Sequence, residues 1–215
     1  MKAATTDGLK PRKQPIQSRS GVTVEAIHEA TIQVLLAEDM GRFTTTRVAE
    51  RAGVSVGTLY QYFPNKEALL YAILLNHFDA MATEFERIAN DAAPAPLADL
   101  ATSIADAYVS VKMRNPEATK AMYRIAGAIN QVRLTSDVFA RMGQAVAQIL
   151  GKASDASFDD PKTATFTVLS ALAGIARGSF GELGEDHSAL DNLGIESRRL
   201  AITYLHAAAS AGKNT

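Results

Sequence analysis

The stretch SVGTLYQYFPNK at residues 55–66 sets three aromatic rings within four positions, beside a glycine, two hydroxyl side chains, a glutamine and a lysine. This mixture suits recognition more than bond-making. Phenols and hydroxyls hydrogen-bond to phosphate oxygens, and an ammonium adds charge. A carboxamide offers a donor and an acceptor together to the edge of a base. On a helix turning about 100° per residue, Leu59 and Phe63 fall about 40° apart on one face. Gly57 and Gln61 lie opposite, and Tyr60 and Tyr62 flank the buried face. Only the Phe63 ring must therefore be core. For each tyrosine the alternative is an amphipathic side chain packed at a helix margin.

Two short helices must hold this segment in place. Thr44 caps the first, TTRVAER, its hydroxyl accepting an orphan backbone N–H. Val48, Ala49 and Ala52 form that helix's inner face. Gly53 stands where the chain turns sharply, with an expected positive φ. Val54 fills the corner, Ser55 caps the second helix, and Leu59 and Phe63 repeat inward at i, i+4. A small residue, a glycine four later and an apolar residue six after that is the spacing of a helix–turn–helix, although a plain αα-turn fits it too. Gly57 would let the second helix approach a surface closely, and Thr58 adds a further hydroxyl. Lys66 falls in the first turn of the next helix, where the macrodipole disfavours a cation. That position calls for a partner outside the helix, such as phosphate.

Taken together, FTTTRVAERAGVSVGTLYQYFPNKEALL (43–70) and the preceding TVEAIHEATIQVLLAEDMG closely resemble the N-terminal domain of the TetR family of transcriptional repressors. The matching features are T-T-x-x-[IV]-A, A-G-V-S, G-T-L-Y, an aromatic before Phe63, and K-E-x-L. The resemblance implies a three-helix DNA-binding domain whose third helix enters the major groove of double-stranded DNA. Carried onto matching positions, Thr45, Thr46, Thr58, Tyr60, Tyr62 and Lys66 would touch phosphates. Val56, Gly57 and Gln61 would face bases, Val56 suiting a thymine methyl. Thr44, Arg47 and Ser55 at the helix starts complete the expected DNA-binding set. Arg19 and the basic residues Lys10, Arg12 and Lys13 would add backbone or minor-groove contacts. Many members carry His where this chain has Tyr62, which keeps a hydrogen-bonding tip. On this reading Tyr60→Phe weakens DNA binding and leaves stability nearly unchanged.

Composition agrees with that division of labour. Of 215 residues 47% are apolar and 21% charged, an ordinary globular mixture with a formal net charge of −1. Residues 1–66 carry nine Lys/Arg against six Asp/Glu, +3, and the remainder 13 against 17, −4, so a polyanion would meet the first third. There is no cysteine, which excludes disulfides and thiolate chemistry. No apolar run approaches the ~20 residues that span a bilayer. The polar, basic N-terminus lacks the apolar core of a signal peptide. The expectation is a cytoplasmic protein without membrane contact.

Helical periodicity runs through the chain, with no sustained alternation of strand type. The expected fold is all-α with about nine helices: a disordered basic arm at 1–18, a helix–turn–helix domain at 19–66, and a helical ligand-binding and dimerisation domain at 67–215. Helices are expected at about 20–38, 44–51, 55–63, 65–92, 97–114, 116–130, 134–151, 161–183 and 191–211.

In 161–183, Ala171, Gly174, Gly178 and Gly181 recur at three, four and three, a small-residue face that lets another helix approach. Mid-helix glycine costs about 1 kcal/mol against alanine, which asks for a packing reason. With Leu200 and Tyr204 of the last helix, this face is expected to pair with its copy in a homodimer as a four-helix bundle; the alternative is close packing within one subunit. The resemblance also implies a pocket for a small-molecule effector of unknown identity, with Phe78, Met81, Phe85, Tyr108, Met122 and Tyr123 as candidate lining; the alternative for each is plain core, the usual place of an aromatic or Met stripe at helical spacing. Arg114 and Arg124 are candidates for recognising an anion, the alternative being plain solvation.

The four histidines are scattered, and neither a zinc-binding H-E-x-x-H nor a nucleophile elbow is present. No enzyme, cofactor or metal is expected. The expected function is a ligand-responsive DNA-binding transcriptional regulator, a repressor released from a palindromic operator when the effector binds. The alternative is a helical protein–protein module without sequence-specific DNA binding.

Overall fold

The computed structural model describes residues 18–38, 41–128, 136–181 and 188–211. The basic arm, with Lys10, Arg12 and Lys13, and the side chain of Arg19 lie outside the described residues. Among those residues the helices are α1 Ser18–Ala37, α2 Thr45–Arg51, α3 Val56–Tyr62, α4 Lys66–Asp91, α5 Leu97–Arg114, α6 Pro116–Ala128, α7 Ser136–Leu150, α8 Pro161–Phe180, α9 Ser188–Asp191 and α10 Leu193–Ala208. The all-α expectation holds, with one small exception. Ala156–Ser157 (β1) pairs antiparallel with Ser210–Ala211 (β2), Ala156 opposite Ala211.

That pairing corrects the C-terminal helix expected at 191–211. It begins at Leu193, because Asn192 closes α9 by donating its N–H to the Ser188 carbonyl at 3.0 Å. It ends at Ala208, where the chain turns extended and Ser210 hydrogen-bonds Asp159 at 2.8 Å. The helix expected to reach residue 183 ends at Phe180. A Cβ at Gly181 would stand 2.8 Å from the Arg177 carbonyl oxygen, so this glycine has a local reason as the cap of α8.

The chain divides into two compact units, Met1–His77 with Glu117–Leu134 and Phe78–Pro116 with Thr135–Thr215. The first holds α1, α2, α3, the start of α4, and α6. Its core is built on Ile27, Leu35, Phe43, Val48, Leu59, Phe63 and Leu69, each no more than 2% exposed, with Ile125 buried among the α6 residues. Arg124 of α6 donates to the Leu35 carbonyl at 2.6 Å, in the last turn of α1. This cation therefore answers an unsatisfied helix-end carbonyl.

The second unit packs α10 against α5 and α8, and α7 against α8. The Gly/Ser/Asp-rich segment 151–160 reads in sequence as a separator, and here it is a clamp. Lys152 donates to the Ala89 and Ala92 carbonyls at the end of α4, at 2.7 and 2.5 Å. Asp155 accepts the Leu97 N–H at the start of α5 (2.7 Å), and Asp160 caps α8 through Thr163. Each group satisfies a helix end that would otherwise lack a partner. Arg141 of α7 grips both carboxylate oxygens of Glu86 at 2.7 and 2.8 Å and reaches Asp79 on the same helix.

Candidate nucleic-acid interface

The helix–turn–helix closes as its residue types require. Thr44 accepts the Arg47 N–H at 3.4 Å, and Ser55 accepts the Thr58 N–H at 2.9 Å. Between them Gly53 has φ +67. Its N–H donates to the Glu50 carbonyl at 3.2 Å, and the Val54 N–H to Ala49 at 3.0 Å. This is the paired closure that ends a helix in a left-handed residue, a conformation glycine adopts without a Cβ clash. Leu59 and Phe63 are 0% and 2% exposed and fix α3 by its inner side.

The opposite side of α3 stands open. Gly57, Tyr60 and Gln61 are exposed, with Tyr60 at 41%, while Val56, Thr58 and Tyr62 are half-buried. The Tyr60 and Thr45 hydroxyls share a hydrogen bond of 2.9 Å. Thr45 is otherwise 8% exposed, so this bond turns two separate hydroxyls into one oriented pair joining α2 to α3. It also alters the expectation for Tyr60→Phe, which removes a structural bond as well as a surface group. Thr46 and Arg47 are exposed at the start of α2, and Arg47 pairs with Glu38.

Lys66 finds its partner within the chain. Its ammonium donates to the Phe43 carbonyl at 3.3 Å and lies 5.2 Å from the Phe43 ring centroid. Two contacts that sequence reasoning missed stiffen the same unit. Arg51 donates to the Gln33 carboxamide at 2.7 Å, tying α2 to α1. His28 rests against the Phe63 ring at 5.6 Å, with Nδ1 3.2 Å from the Asn76 carboxamide nitrogen. Burial pushes its pKa from 6.5 down to about 4, so it is neutral near pH 7.

The other candidates distribute as follows. Phe78, Met81, Phe85 and Tyr108 belong to the second unit, Met122 and Tyr123 to the first. Met81, Phe85, Tyr108 and Met122 are buried; Phe78 and Tyr123 are half-buried. An open groove of about 280 Å3 lies over Arg87, Ile88, Asp91, Leu100 and Ser103 and shares no residue with this set. Sequence reasoning passed over Lys112, which is 4% exposed beside Tyr108. Its signal was its place on the Tyr108 side of α5, four residues on. On α8 a Cβ at Gly174 or Gly178 would meet nothing within 4 Å among the described residues, and Phe166 is 71% exposed. Ala171, Leu200 and Tyr204 are half-buried. Among the described residues no helix is long and apolar enough to cross a membrane, and no group of acidic or histidine side chains could hold a metal ion.

The profile described as bacterial regulatory proteins, tetR family, matches residues 19–73, and that of the Tetracyclin repressor-like C-terminal domain matches residues 96–205. The chain is 37% identical over 103 residues to the HTH-type transcriptional repressor KstR of Mycolicibacterium smegmatis, covering 44% of this chain and 50% of that protein. It thus spans about half the length of that curated relative. Among solved structures, SmeT, the repressor of the Stenotrophomonas maltophilia multidrug efflux pump SmeDEF, aligns with a TM-score of 0.66 at 21% identity, covering 89% of this chain and 94% of that one. The transcriptional regulator FadR from Bacillus subtilis, in complex with stearoyl-CoA, also aligns at 0.66, with 16% identity over 85% of this chain and 99% of that one.

Proposed function

The chain belongs to the tetR family of bacterial regulatory proteins, a family of regulators and not of enzymes, and on that premise we propose that it is a homodimeric, ligand-responsive repressor of transcription. The observation that carries the reading is the open face of α3. A capped helix, anchored by two buried residues, presents Gly57, Tyr60 and Gln61 outward. In this reading α3 enters the major groove, Gln61 and Val56 meet base edges, and the Thr45–Tyr60 pair meets a phosphate. Thr44, Thr46, Arg47, Ser55, Thr58 and Tyr62 approach the backbone around it. Lys66 contributes charge while holding Phe43. Residues 19–66 bind DNA, and 67–215 bind the effector and the second copy.

Dimer formation is supported by α8. Among the described residues its mid-helix glycines Gly174 and Gly178 meet no neighbour, and the packing of a second copy would give them a reason. Two copies would place their α3 helices in successive major grooves, about 34–36 Å apart on a palindrome. An effector bound in the second unit would favour a state that no longer matches this spacing, with α4, which runs through both units, carrying the change. Such a ligand must distinguish the two states, since equal affinity for both shifts nothing. The protein would act in the cytoplasm, where the DNA is. The test is selection from random duplexes together with solution mass. A dimer that enriches one palindrome supports the reading; a monomer that enriches none overturns it.

A further inference from the structure

Between Gly41 and Lys66 the chain carries four cationic side chains, Arg42, Arg47, Arg51 and Lys66. Three of them are engaged within the fold. Arg47 pairs with Glu38, Arg51 donates to the Gln33 carboxamide at 2.7 Å, and half-buried Lys66 donates to the Phe43 carbonyl at 3.3 Å. Arg42 is exposed in the turn before α2, and among the described residues it makes no hydrogen bond or ion pair. Its backbone is nevertheless tied to the α3 segment. The next residue, Phe43, is 2% exposed and has its carbonyl on Lys66, just past α3. Thr45, three positions on, shares its hydroxyl hydrogen bond with Tyr60 of α3. An anchored stem thus carries a guanidinium that the fold does not use.

We infer that Arg42 clamps a DNA phosphate and is the main charge-neutralising contact of the helix–turn–helix. This rests on the DNA-binding reading above and adds a residue outside the set named there. The planar fork of a guanidinium matches two phosphate oxygens at once. A free cation also brings its full charge to the backbone and releases the counterions condensed there. Its three neighbours bring less. The Arg47–Glu38 pair is neutral as a unit, and the Glu38 carboxylate repels an approaching phosphate. Arg51 and Lys66 would have to leave the oxygens that they already hold. Folding gives no reason for a cation at position 42. Neither the burial of Phe43 nor the Thr44 cap of α2 depends on the side chain there.

The experiment measures the affinity of the full chain for two labelled duplexes, the palindrome recovered by selection and a scrambled version, over a range of salt. The unsubstituted protein is compared with Arg42→Gln and Arg51→Gln. In Arg42→Gln the affinity for both duplexes should fall alike, by about tenfold at low salt. The slope of log affinity against log salt should shrink by about 0.9, the share of one phosphate, while the thermal midpoint stays where it was. Arg51→Gln removes the same formal charge from a side chain tied to Gln33, and its slope should be kept. Equal loss of slope in the two variants would overturn the clamp, because net charge alone would then explain it. An unchanged slope in Arg42→Gln overturns it as well, and so does a loss confined to the palindrome, which would make Arg42 a reader of bases. In each of these cases DNA binding by the unsubstituted protein stands and only the clamp falls. If the unsubstituted protein binds neither duplex at low salt, the DNA-binding reading and the clamp fall together.

Discussion

Lys112 should make the stability of this protein climb with pH. In the folded state burial brings its pKa to about 8, against 10.5 for an ordinary lysine. Between those values the unfolded chain holds the proton and the folded chain has released it. Unfolding therefore takes up a proton, and stability rises as pH rises. The sign is that of a depressed basic group: stability is fully available above pH 10.5 and is lost as pH falls towards 8. A gap of this size corresponds to about 3 kcal/mol at ~1.36 kcal/mol per pH unit. The assay is urea unfolding followed by circular dichroism, from pH 7 to 10.5, on the unsubstituted protein and on Lys112→Met. Other lysines and tyrosines titrate in both, so the difference between the two curves isolates Lys112. That difference should change by about 3 kcal/mol across the range. Parallel curves would refute the reasoning, since they would mean that the ammonium is as well solvated as on the surface.

The hydroxyl pair on α2 and α3 predicts that Thr45→Val and Tyr60→Phe are coupled by roughly 0.5–1.5 kcal/mol in a double-mutant cycle of denaturation; additive effects would mean that the bond is not formed in solution. His28 should titrate near pH 4 by NMR, and the first unit should lose up to about 3 kcal/mol as pH falls from 6.5 towards 4, because the unfolded chain takes the proton first. A His28 midpoint near 6.5 contradicts this. Gly178→Leu should fold, gaining about 1 kcal/mol of helix propensity in the monomer, yet sediment as a monomer, because its new side chain projects into space that a second copy would occupy. A dimer that persists would place the interface elsewhere.

What sequence could reveal follows from how local each cause is. The caps at Thr44 and Ser55, the positive φ at Gly53 and the inward pair Leu59 and Phe63 all arise within a few residues, and all are found. Helix α5 begins and ends where expected because Pro96 and Asn115-Pro116 bound it on both sides. What stayed hidden depends on residues far apart in the chain. The partner of Lys66 is the Phe43 carbonyl, 23 positions away, and the partner of Arg124 is the Leu35 carbonyl, 89 away. No helical periodicity encodes either. The clamp at 151–160 was hidden for the same reason: its Gly/Ser/Asp composition reads as a loop, while its work is done on the ends of α4 and α5. Lys112 was passed over because a lysine on a helix is ordinarily solvated, and only packing shows otherwise.

The central claim is that the open face of α3 reads DNA. Its most direct test is the affinity of the protein for the palindrome recovered by selection, measured against a scrambled duplex over a range of salt, with Gln61→Ala alongside. The account predicts a steep linear fall of log affinity with log salt and a clear preference for the palindrome. Gln61→Ala should relax that preference while leaving the salt slope unchanged. Equal affinity for both duplexes, or a preference that Gln61→Ala leaves intact, would contradict it.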